Sequence, residues 1–524
     1  MAPRGRLRQG AGPTRRYECA SFSRGDASAG TAALKTKGAG AAARPHGPDA
    51  RLINGSVGEP QKGGVRDFLQ EFTRRAWAFS LLLALSLIAG ILAALGAMGL
   101  DLLLAVVHDL FFLGRLSLAY DPREHTPAGP WGVAVIIAPV LGGFVAAALS
   151  GHIARQARGS GVPDILEGVF VREGRIDPGS AVLQPVATVF TIGSGGSAGR
   201  EGPSMHLGAA LASGLARALA LPPSLAVALL ACGTGAGIAA SFNTPWGAWI
   251  FALEVAAPEW RPSVVLGCLA ATWASTWTRR QVLGNVRLLP LAPLQGGWAH
   301  DWWVGLPAGA LAGLLAWALI VAVHYARRRM LRMPGAIYLR HGAAMLFVGL
   351  GLYLCLIWTG HYAIEGVGYA TADALLTHAY WPIGLLLTLF ALKFLATVLT
   401  LGTGGSGGIF SPALLLGGLL GGLIAASMAR AGTPMPEMLL VLAGMGGMVA
   451  ASTGAIVGGT LMVVEMTGRT GIMVPIMLSG LSAYGIRRWL VADSAYTRGL
   501  GDGAHPWPEN RYVRLWADWR KSGC

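Results

Sequence analysis

The sequence predicts an all-α, polytopic membrane protein whose helices form two related halves. Of its 524 residues, 53% are hydrophobic and 13% are charged, and the mean hydropathy is +0.52. A soluble domain carries about 25% charged residues, so this composition is typical of a chain that lies in lipid. The duplication is indicated by residues 192–209, which recur without a gap as residues 401–418, an offset of 209.

The hydrophobic segments fall into two length classes. Spanning a bilayer takes about 20 residues of helix, and several apolar runs approach or exceed that length. Residues 181–192 and 245–257 are shorter, and glycine or proline interrupts the apolar sequence around them. Short, broken segments at matching places in two halves predict a transport site near the bilayer midplane. The longer runs are 79–107, 131–150, 303–323, 343–358 and 381–401.

Three motifs share a glycine-rich turn, a proline and a following apolar stretch. They are GSGVP at 159–163, GREGP at 199–203 and GIFSP at 408–412. Proline suits the first turn of a helix because its missing N–H would have no intrahelical partner, and glycine lets the preceding backbone bend. Each motif therefore predicts a helix that begins inside the membrane. Several helix N-termini that point at one spot would form an anion site.

A second repeated block extends the duplication over several helices. Residues 233–254 match residues 444–465 at an offset of 211, and the two blocks close on Glu254 and Glu465. An insertion of two residues between the first and second blocks explains the change of offset. We therefore divide a transmembrane anion-transport domain, 76–491, into halves of about 76–260 and 261–491.

The two ends of the chain differ from this domain. Residues 1–75 contain 14 Lys or Arg against 6 acidic residues, which predicts a basic, disordered cytoplasmic tail near anionic lipid. Residues 492–524 predict a cytoplasmic C-terminal helix and tail without an appended nucleotide-binding module. The basic residues within 155–175 and 327–332 favour cytoplasmic loops. No stacking or base-reading motif accompanies the charge, so nucleic acid is not an expected partner.

Metal binding and soluble-enzyme chemistry find little support. The five cysteines and eleven histidines are scattered without ligand spacing, so neither a metal site nor a disulfide framework is expected. GTGGSG (402–407) fits a dinucleotide pattern, while GGSAG (195–199) and GGSGG (404–408) fit a serine-hydrolase pattern. Both patterns need a strand before a helix and acidic or histidine partners, whereas apolar residues follow here. A membrane enzyme or another non-transport membrane protein remains an alternative interpretation, less favoured than transport.

The three proline motifs together resemble the CLC family of chloride channels and proton-coupled chloride transporters. The marks of that family are GSGIP, GKEGP or GREGP, and GxFxP. Residues 242–254 are similar to its FNxPxxGxxFxxE segment, although Ala248 stands where glycine is expected. Similarity continues through 463–477 and 493–500. The resemblance implies a homodimer in the cell membrane, with one pore per subunit, two inverted halves of tilted and broken helices, and bound chloride without another cofactor.

Chloride in a low-dielectric pore needs several neutral donors, because dehydration costs far more than one hydrogen bond returns. The resemblance implies that the Ser160 hydroxyl, the Tyr496 phenol and the backbone N–H groups of Ile409 and Phe410 supply them. Ser160 by itself is more typical of a helix N-cap, and the family spacing reverses that preference in favour of the chloride ligand. Serine at this motif position also favours chloride over fluoride or nitrate. The other motif positions that would shape the helix starts are Gly159, Gly161, Pro163, Gly199, Arg200, Gly202, Pro203, Gly408 and Pro412.

Glu201 is the strongest candidate for a gate. A carboxylate in an apolar segment costs ~2.5 to 3.5 kcal/mol on insertion scales, so its presence calls for a function. When ionised it can occupy an anion site and accept the N–H groups that would serve chloride, and when protonated it can vacate that site. The structural alternatives are an ion pair with Arg200 and a simple acid at a helix start.

Val255 bears on the subtype. Proton-coupled family members commonly place two consecutive acids here, whereas this chain reads Glu254 and then Val255, which resembles the channel members. The resemblance therefore implies passive chloride conduction. A proton–chloride exchanger remains the alternative, because Glu201 can still carry protons. Glu254 is repeat-related to Glu465, and we interpret it as structural.

Overall fold

The computed structural model describes residues 65–153, 161–291, 301–377, 381–498 and 500. From Leu69 onward these residues form one compact unit. The described part of the chain contains sixteen α-helices and no β-strand. The first eight helices are α1 Val65–Leu113, α2 Ala138–Ile153, α3 Val162–Phe170, α4 Pro178–Gly193, α5 Glu201–Ala218, α6 Pro223–Phe242, α7 Pro245–Val255 and α8 Pro262–Leu283. The next eight are α9 Gly305–Arg332, α10 Ile337–Thr359, α11 Tyr369–Thr377, α12 Ile383–Thr403, α13 Phe410–Arg430, α14 Glu437–Thr453, α15 Ile456–Thr467 and α16 Met473–Leu490.

The helix order repeats after α8, so that each helix of the first set has a counterpart eight places later. Helices α7 and α15 begin at Pro245 and Ile456, and α8 and α16 begin at Pro262 and Met473. Both pairs of starts are 211 residues apart, and α8 packs on α6 as α16 packs on α14. The predicted boundary near residue 260 is therefore wrong, since α8 belongs to the first half. The matching blocks end at Glu254, and the sequence of α8 diverged too far to extend them.

The start of α1 corrects a second boundary. The helix begins at Val65, so residues 65–75 are helical, not disordered as predicted. Arg75 donates to the carboxylate of Glu71 at 2.6 Å, and ion pairs four residues apart stabilise a helix. Residues 491–498 follow α16 as turns. Residues 1–64, most of the predicted tail, and residues 501–524, most of the predicted C-terminal segment, lie outside the described residues.

Seven helices within the described ranges are long and apolar enough to cross a membrane. Helices α4 and α7 have 16 and 11 residues, so both fall short of that length, as predicted. The long helices pack closely where glycine removes the side chain. A Cβ on Gly208 of α5 would overlap the backbone at Gly233 of α6, and Gly417 and Gly444 repeat this contact between α13 and α14. Small residues allow such close approach of membrane helices.

The two halves are held together by a reciprocal pair of carboxylates. Glu254, near the end of α7, accepts hydrogen bonds from the backbone N–H groups of Val457 and Gly458 in α15, at 3.0 and 2.8 Å. Glu465, near the end of α15, accepts equivalent bonds from the second and third residues of α7, at 3.2 and 2.6 Å. The end of each helix therefore lies at the start of the other, so these equivalent helices run antiparallel. That direction is what inverted repeats require.

Candidate anion pathway

The glycine-rich loops before α5 and α13 pair with each other at the centre of the fold. The Gly199 N–H donates to the Gly408 carbonyl at 2.8 Å, and the Gly408 N–H donates to the Gly199 carbonyl at 2.7 Å. This isolated antiparallel bridge joins positions that are repeat equivalents. It brings the starts of two helices from opposite halves side by side.

Hydroxyl groups fasten both loops in the same way. The Ser197 N–H donates to Thr400 Oγ1 at 3.1 Å, and the Ser406 N–H donates to Thr191 Oγ1 at 3.2 Å. Each contact maps onto the other at the offset of 209. All four side chains are buried, so these bonds satisfy groups that water does not reach. Each loop is therefore tied to a helix of the opposite half just before the helix start that follows it.

Glu201 is the first residue of α5, and its side chain is fully buried. One carboxylate oxygen accepts the Phe410 N–H at 2.7 Å and the Ser411 N–H at 3.4 Å. The other accepts the Ser411 hydroxyl at 2.8 Å. The carboxylate thus occupies the N-terminus of α13, where exposed N–H groups and the helix dipole favour a negative charge. Ile409, whose N–H was expected to serve the same purpose, is the N-cap residue of α13.

Glycine at two positions makes room for this carboxylate. A Cβ on Gly408 would overlap Glu201 Oε1, and a Cβ on Gly199 would overlap the same carboxylate. The other motif positions form the first turns: Gly202 and Pro203 lie in α5, and Pro412 lies in α13. The motifs thus build both the helix starts and the space between them.

Two cavities are lined by chain neighbours of the residues in the Glu201–Phe410 contact. The Tyr496 pocket, about 90 Å³ in volume, is lined by Tyr496, Ile409 and Pro163 among others. The Arg200 pocket, about 380 Å³, is lined by Arg200 and by residues of α1, α6 and α8. Glu201 follows Arg200 in the chain, and its donor Phe410 follows Ile409. Each cavity is therefore lined by the chain neighbour of one partner in the Glu201–Phe410 contact.

Arg200 does not pair with Glu201. Its guanidinium donates to Asp101 at 2.7 Å and to the Ser241 carbonyl at 3.2 Å, and it lies 5.7 Å from the centre of the Tyr369 ring. The Asp101 carboxylate therefore holds this cation on the side of the larger pocket. Since the positive charge has its own partner, the Glu201 carboxylate depends on the donors of α13.

Tyr496 lies in the turn after α16, and only 2% of its surface is exposed. Its hydroxyl oxygen has no hydrogen-bond partner within the described part of the chain. Buried hydroxyl groups are nearly always paired, so this one is available to a ligand in the adjoining pocket. The chloride-donor role of Tyr496 that the family resemblance implies stays a prediction.

The first motif reaches the same pocket. Gly161 is the N-cap residue of α3 and has a φ of 77°, a left-handed conformation that glycine adopts without strain. Pro163 in the first turn of α3 lines the Tyr496 pocket. Gly159 and Ser160 lie outside the described residues. The described parts of the three motifs thus converge on one region.

Val255 and His206 lie outside these cavities. Val255 ends α7 and is buried in the main hydrophobic core, with 5% of its surface exposed. His206 Nε2 lies 2.7 Å from an Asp164 carboxylate oxygen. Neither position brings a further polar group to the pathway.

Two residues at the Glu201 site were not predicted from the sequence. Ser411 occupies the open fourth position of the GxFxP motif, and its hydroxyl reaches Glu201 directly. Tyr369, at the start of α11, forms a hydrogen bond through its hydroxyl with Ser411 Oγ. A hydroxyl residue inside an anion motif was a usable signal for Ser411. Tyr369 carried no comparable signal, because 42 residues separate the two.

The fold and the buried helix starts define a multi-pass membrane protein for anion transport. Residues 142–488 match the family described as voltage gated chloride channel, and the chain belongs to this CLC family. Its function is therefore chloride transport, and it is not an enzyme.

Its relatives carry two kinds of name. A ClcB-like protein of Ralstonia nicotianae is 30% identical over 382 residues, covering 71% of this chain and 86% of that protein. The voltage-gated ClC-type chloride channel ClcB of Escherichia coli is 28% identical over 433 residues, covering 79% and 97%. The H(+)/Cl(-) exchange transporter ClcA of Vibrio campbellii is 27% identical over 390 residues, covering 71% and 79%.

A solved structure supports the fold. The crystal structure of a slow cyanobacterial Cl-/H+ antiporter aligns with a TM-score of 0.68 at 19% identity, covering 80% of this chain and 97% of that one. Equivalent helices therefore have the same arrangement in both proteins.

Proposed function

We propose that this protein is a passive chloride channel gated by Glu201. The observation that carries the proposal is the Glu201 carboxylate on the N-terminus of α13, next in the chain to residues that line two cavities. The proposal includes a homodimer in the cell membrane with a cytoplasmic N-terminus. Chloride is the transported partner, and no other cofactor is involved.

The gate works by competition for donors. An ionised carboxylate accepts the N–H groups of Phe410 and Ser411 and the Ser411 hydroxyl, so chloride cannot use them. Protonation removes the charge that these donors and the helix dipole favour. The side chain then leaves, and chloride takes its place. On the side of the Tyr496 pocket, the free hydroxyl of Tyr496 and the Ser160 hydroxyl would coordinate the ion.

Val255 supports a channel over an exchanger. Its apolar side chain lies in the hydrophobic core. Proton-coupled members of the family commonly carry an acidic residue at this position. A proton path through this position would lack a titratable side chain. Proton–chloride exchange is the second candidate, favoured by the exchanger named among the relatives and by the protonatable Glu201.

Reconstitution of the full chain in chloride-loaded liposomes separates these candidates. With valinomycin to carry potassium, we expect chloride release without uphill proton movement. Proton uptake driven by a chloride gradient would establish the exchanger instead. No chloride flux in either assay would reject both and favour a non-transport membrane protein.

A further inference from the structure

We propose that the Ser411 hydroxyl is an anion ligand of this pore and that Tyr369 is the residue that positions it. The inference rests on the proposed function, since it concerns the place that Glu201 vacates. It assigns a role to a side chain at the motif position that the family pattern leaves open. It adds a side-chain donor to the backbone donors of the α13 start.

The Glu201 carboxylate stands in for an anion at this position. Its shortest contact with Ser411 is to the side chain, at 2.8 Å, whereas the Ser411 N–H lies 3.4 Å away. Both Glu201 and Ser411 are fully buried. A hydrogen bond to an ion in such surroundings is stronger than one in water. The hydroxyl is therefore a principal contact of whatever negative charge occupies this site.

The number of protons fixes the direction of the hydrogen bonds. A serine hydroxyl has one proton, and Ser411 donates it to Glu201 Oε2. The hydrogen bond between Tyr369 and Ser411 must then be donated by the Tyr369 hydroxyl. Donation into the serine oxygen polarises its own O–H bond toward the anion. Tyr369 thus acts on the anion through Ser411.

Tyr369 is held firmly enough to do this. Its side chain is fully buried, the Arg200 guanidinium carbon lies 5.7 Å from its ring centre, and the Phe242 ring packs against it at 6.2 Å. The charged and titratable groups facing the site are Arg200 with its partner Asp101, Tyr369 itself, and Tyr496 from the other pocket. None of them contacts Ser411 Oγ except Tyr369 within the described residues.

The two halves differ at this position. The repeat equivalent of Ser411 is Gly202, which has no side chain. At this position a hydroxyl donor is therefore present on the second helix start and absent from the first, and the second is the start on which the carboxylate lies. The Ser411 hydroxyl therefore has no counterpart from the first half across the Gly199–Gly408 bridge.

Chloride binding tests the inference without depending on transport. Glu201→Ala empties the position, and chloride affinity is measured by titration calorimetry on the purified full chain. Adding Ser411→Val should weaken chloride binding about tenfold. Threonine has nearly the same shape as valine but keeps the hydroxyl, so adding Ser411→Thr should retain the chloride affinity of Glu201→Ala. The matched control is Ser204→Ala, because Ser204 is buried in the first turn of α5 and donates only to the Arg200 carbonyl, at 2.9 Å. Its chloride affinity should not change.

Tyr369→Phe tests the positioning role. In the Glu201→Ala background it should weaken chloride binding about threefold, the effect of one lost neutral hydrogen bond. Combined with Ser411→Val it should have no further effect, because its action passes through the serine. An additive loss would show that Tyr369 acts by another route and would overturn that role.

Each further outcome decides a different question. Equal chloride affinity in the valine and threonine variants would overturn the ligand role of Ser411 and leave the proposed channel intact. No chloride binding by Glu201→Ala, together with no chloride flux by the parent protein, would overturn both. A loss of affinity in the Ser204→Ala control would show that the site responds to any buried change, which would also overturn the inference.

Discussion

Two pairs of helix starts in this protein receive a carboxylate from the opposite half, and they differ in symmetry. At the α7–α15 pair, Glu254 and Glu465 each bind two backbone N–H groups of the other helix. At the α5–α13 pair, Glu201 binds the start of α13 and receives no equivalent in return. The residue equivalent to Glu201 is Phe410. The same local chemistry is thus duplicated in one place and one-sided in the other.

The comparison distinguishes the acids that join the two halves from the one that we propose as a gate. The reciprocal carboxylates join α7 to α15, and each is fixed by the other helix. The one-sided carboxylate belongs to the residue after Arg200, which lines one cavity, and it binds the residue after Ile409, which lines another, so we propose that its departure opens a route between the two cavities. A buried acid on a helix N-terminus is therefore not evidence of a gate by itself. The broken symmetry and the neighbouring cavities are what distinguish Glu201.

The largest expected effect comes from Glu201→Gln. The amide has no charge, so it mimics the protonated gate and loses the attraction of the α13 start. We expect chloride flux in liposomes to stay high from about pH 4.5 to about pH 7.5, a range over which we expect the parent flux to fall as the pH rises and the carboxyl group ionises. A variant that keeps the parent pH response would reject the gate assignment.

Gly408→Ala should displace the same carboxylate without altering it. The new Cβ would overlap Glu201 Oε1, so the ionised gate should lose its position and flux at pH 7.5 should rise several-fold. Gly384→Ala is the control, because a Cβ there meets nothing within 4 Å. Flux of Gly408→Ala at the parent level, in a protein that elutes as the parent does, would contradict this prediction.

The reciprocal acids should affect stability and not gating. Glu254→Gln and Glu465→Gln each replace a charged acceptor of two N–H groups, and we expect a loss of about 2 kcal/mol in the free energy of unfolding for each. The two losses should be similar, because the contacts are equivalent. Thermal unfolding in detergent measures the loss, and liposome flux should show the parent pH response. A changed pH response of the flux in either variant would contradict the purely structural role of these two acids.

The smallest effect is expected at the hydroxyl supports of the central loops. Thr191→Val and Thr400→Val each remove the acceptor of one buried N–H, at a cost of about 1 kcal/mol. Because their contacts are repeat equivalents, the two variants should be destabilised to a similar degree in the same thermal assay. A loss of stability confined to one variant would indicate that the two equivalent hydrogen bonds contribute unequally to the stability of the fold.

The repeat, the broken helices and the three helix starts were readable from the chain, because glycine and proline act on their own backbone. The same local pattern singled out Glu201, since an acid in an apolar segment is costly wherever the segment packs. The gate assignment itself stays a prediction until it is measured. The ends of the transport domain were read less well: α1 begins at Val65, and α8 belongs to the first half.

Sequence alone determined that this chain has two related sets of membrane helices, with a carboxylate at one special helix start. Only the tertiary structure decided which groups meet there. Asp101 binds Arg200 across 99 residues, and Tyr369 reaches Ser411 across 42. Such partners depend on how distant helices pack, and no local pattern encodes that packing. The one-sided contact of Glu201 arises in the same way. Repeat equivalence identifies the two helix starts, but it does not determine which start binds the carboxylate.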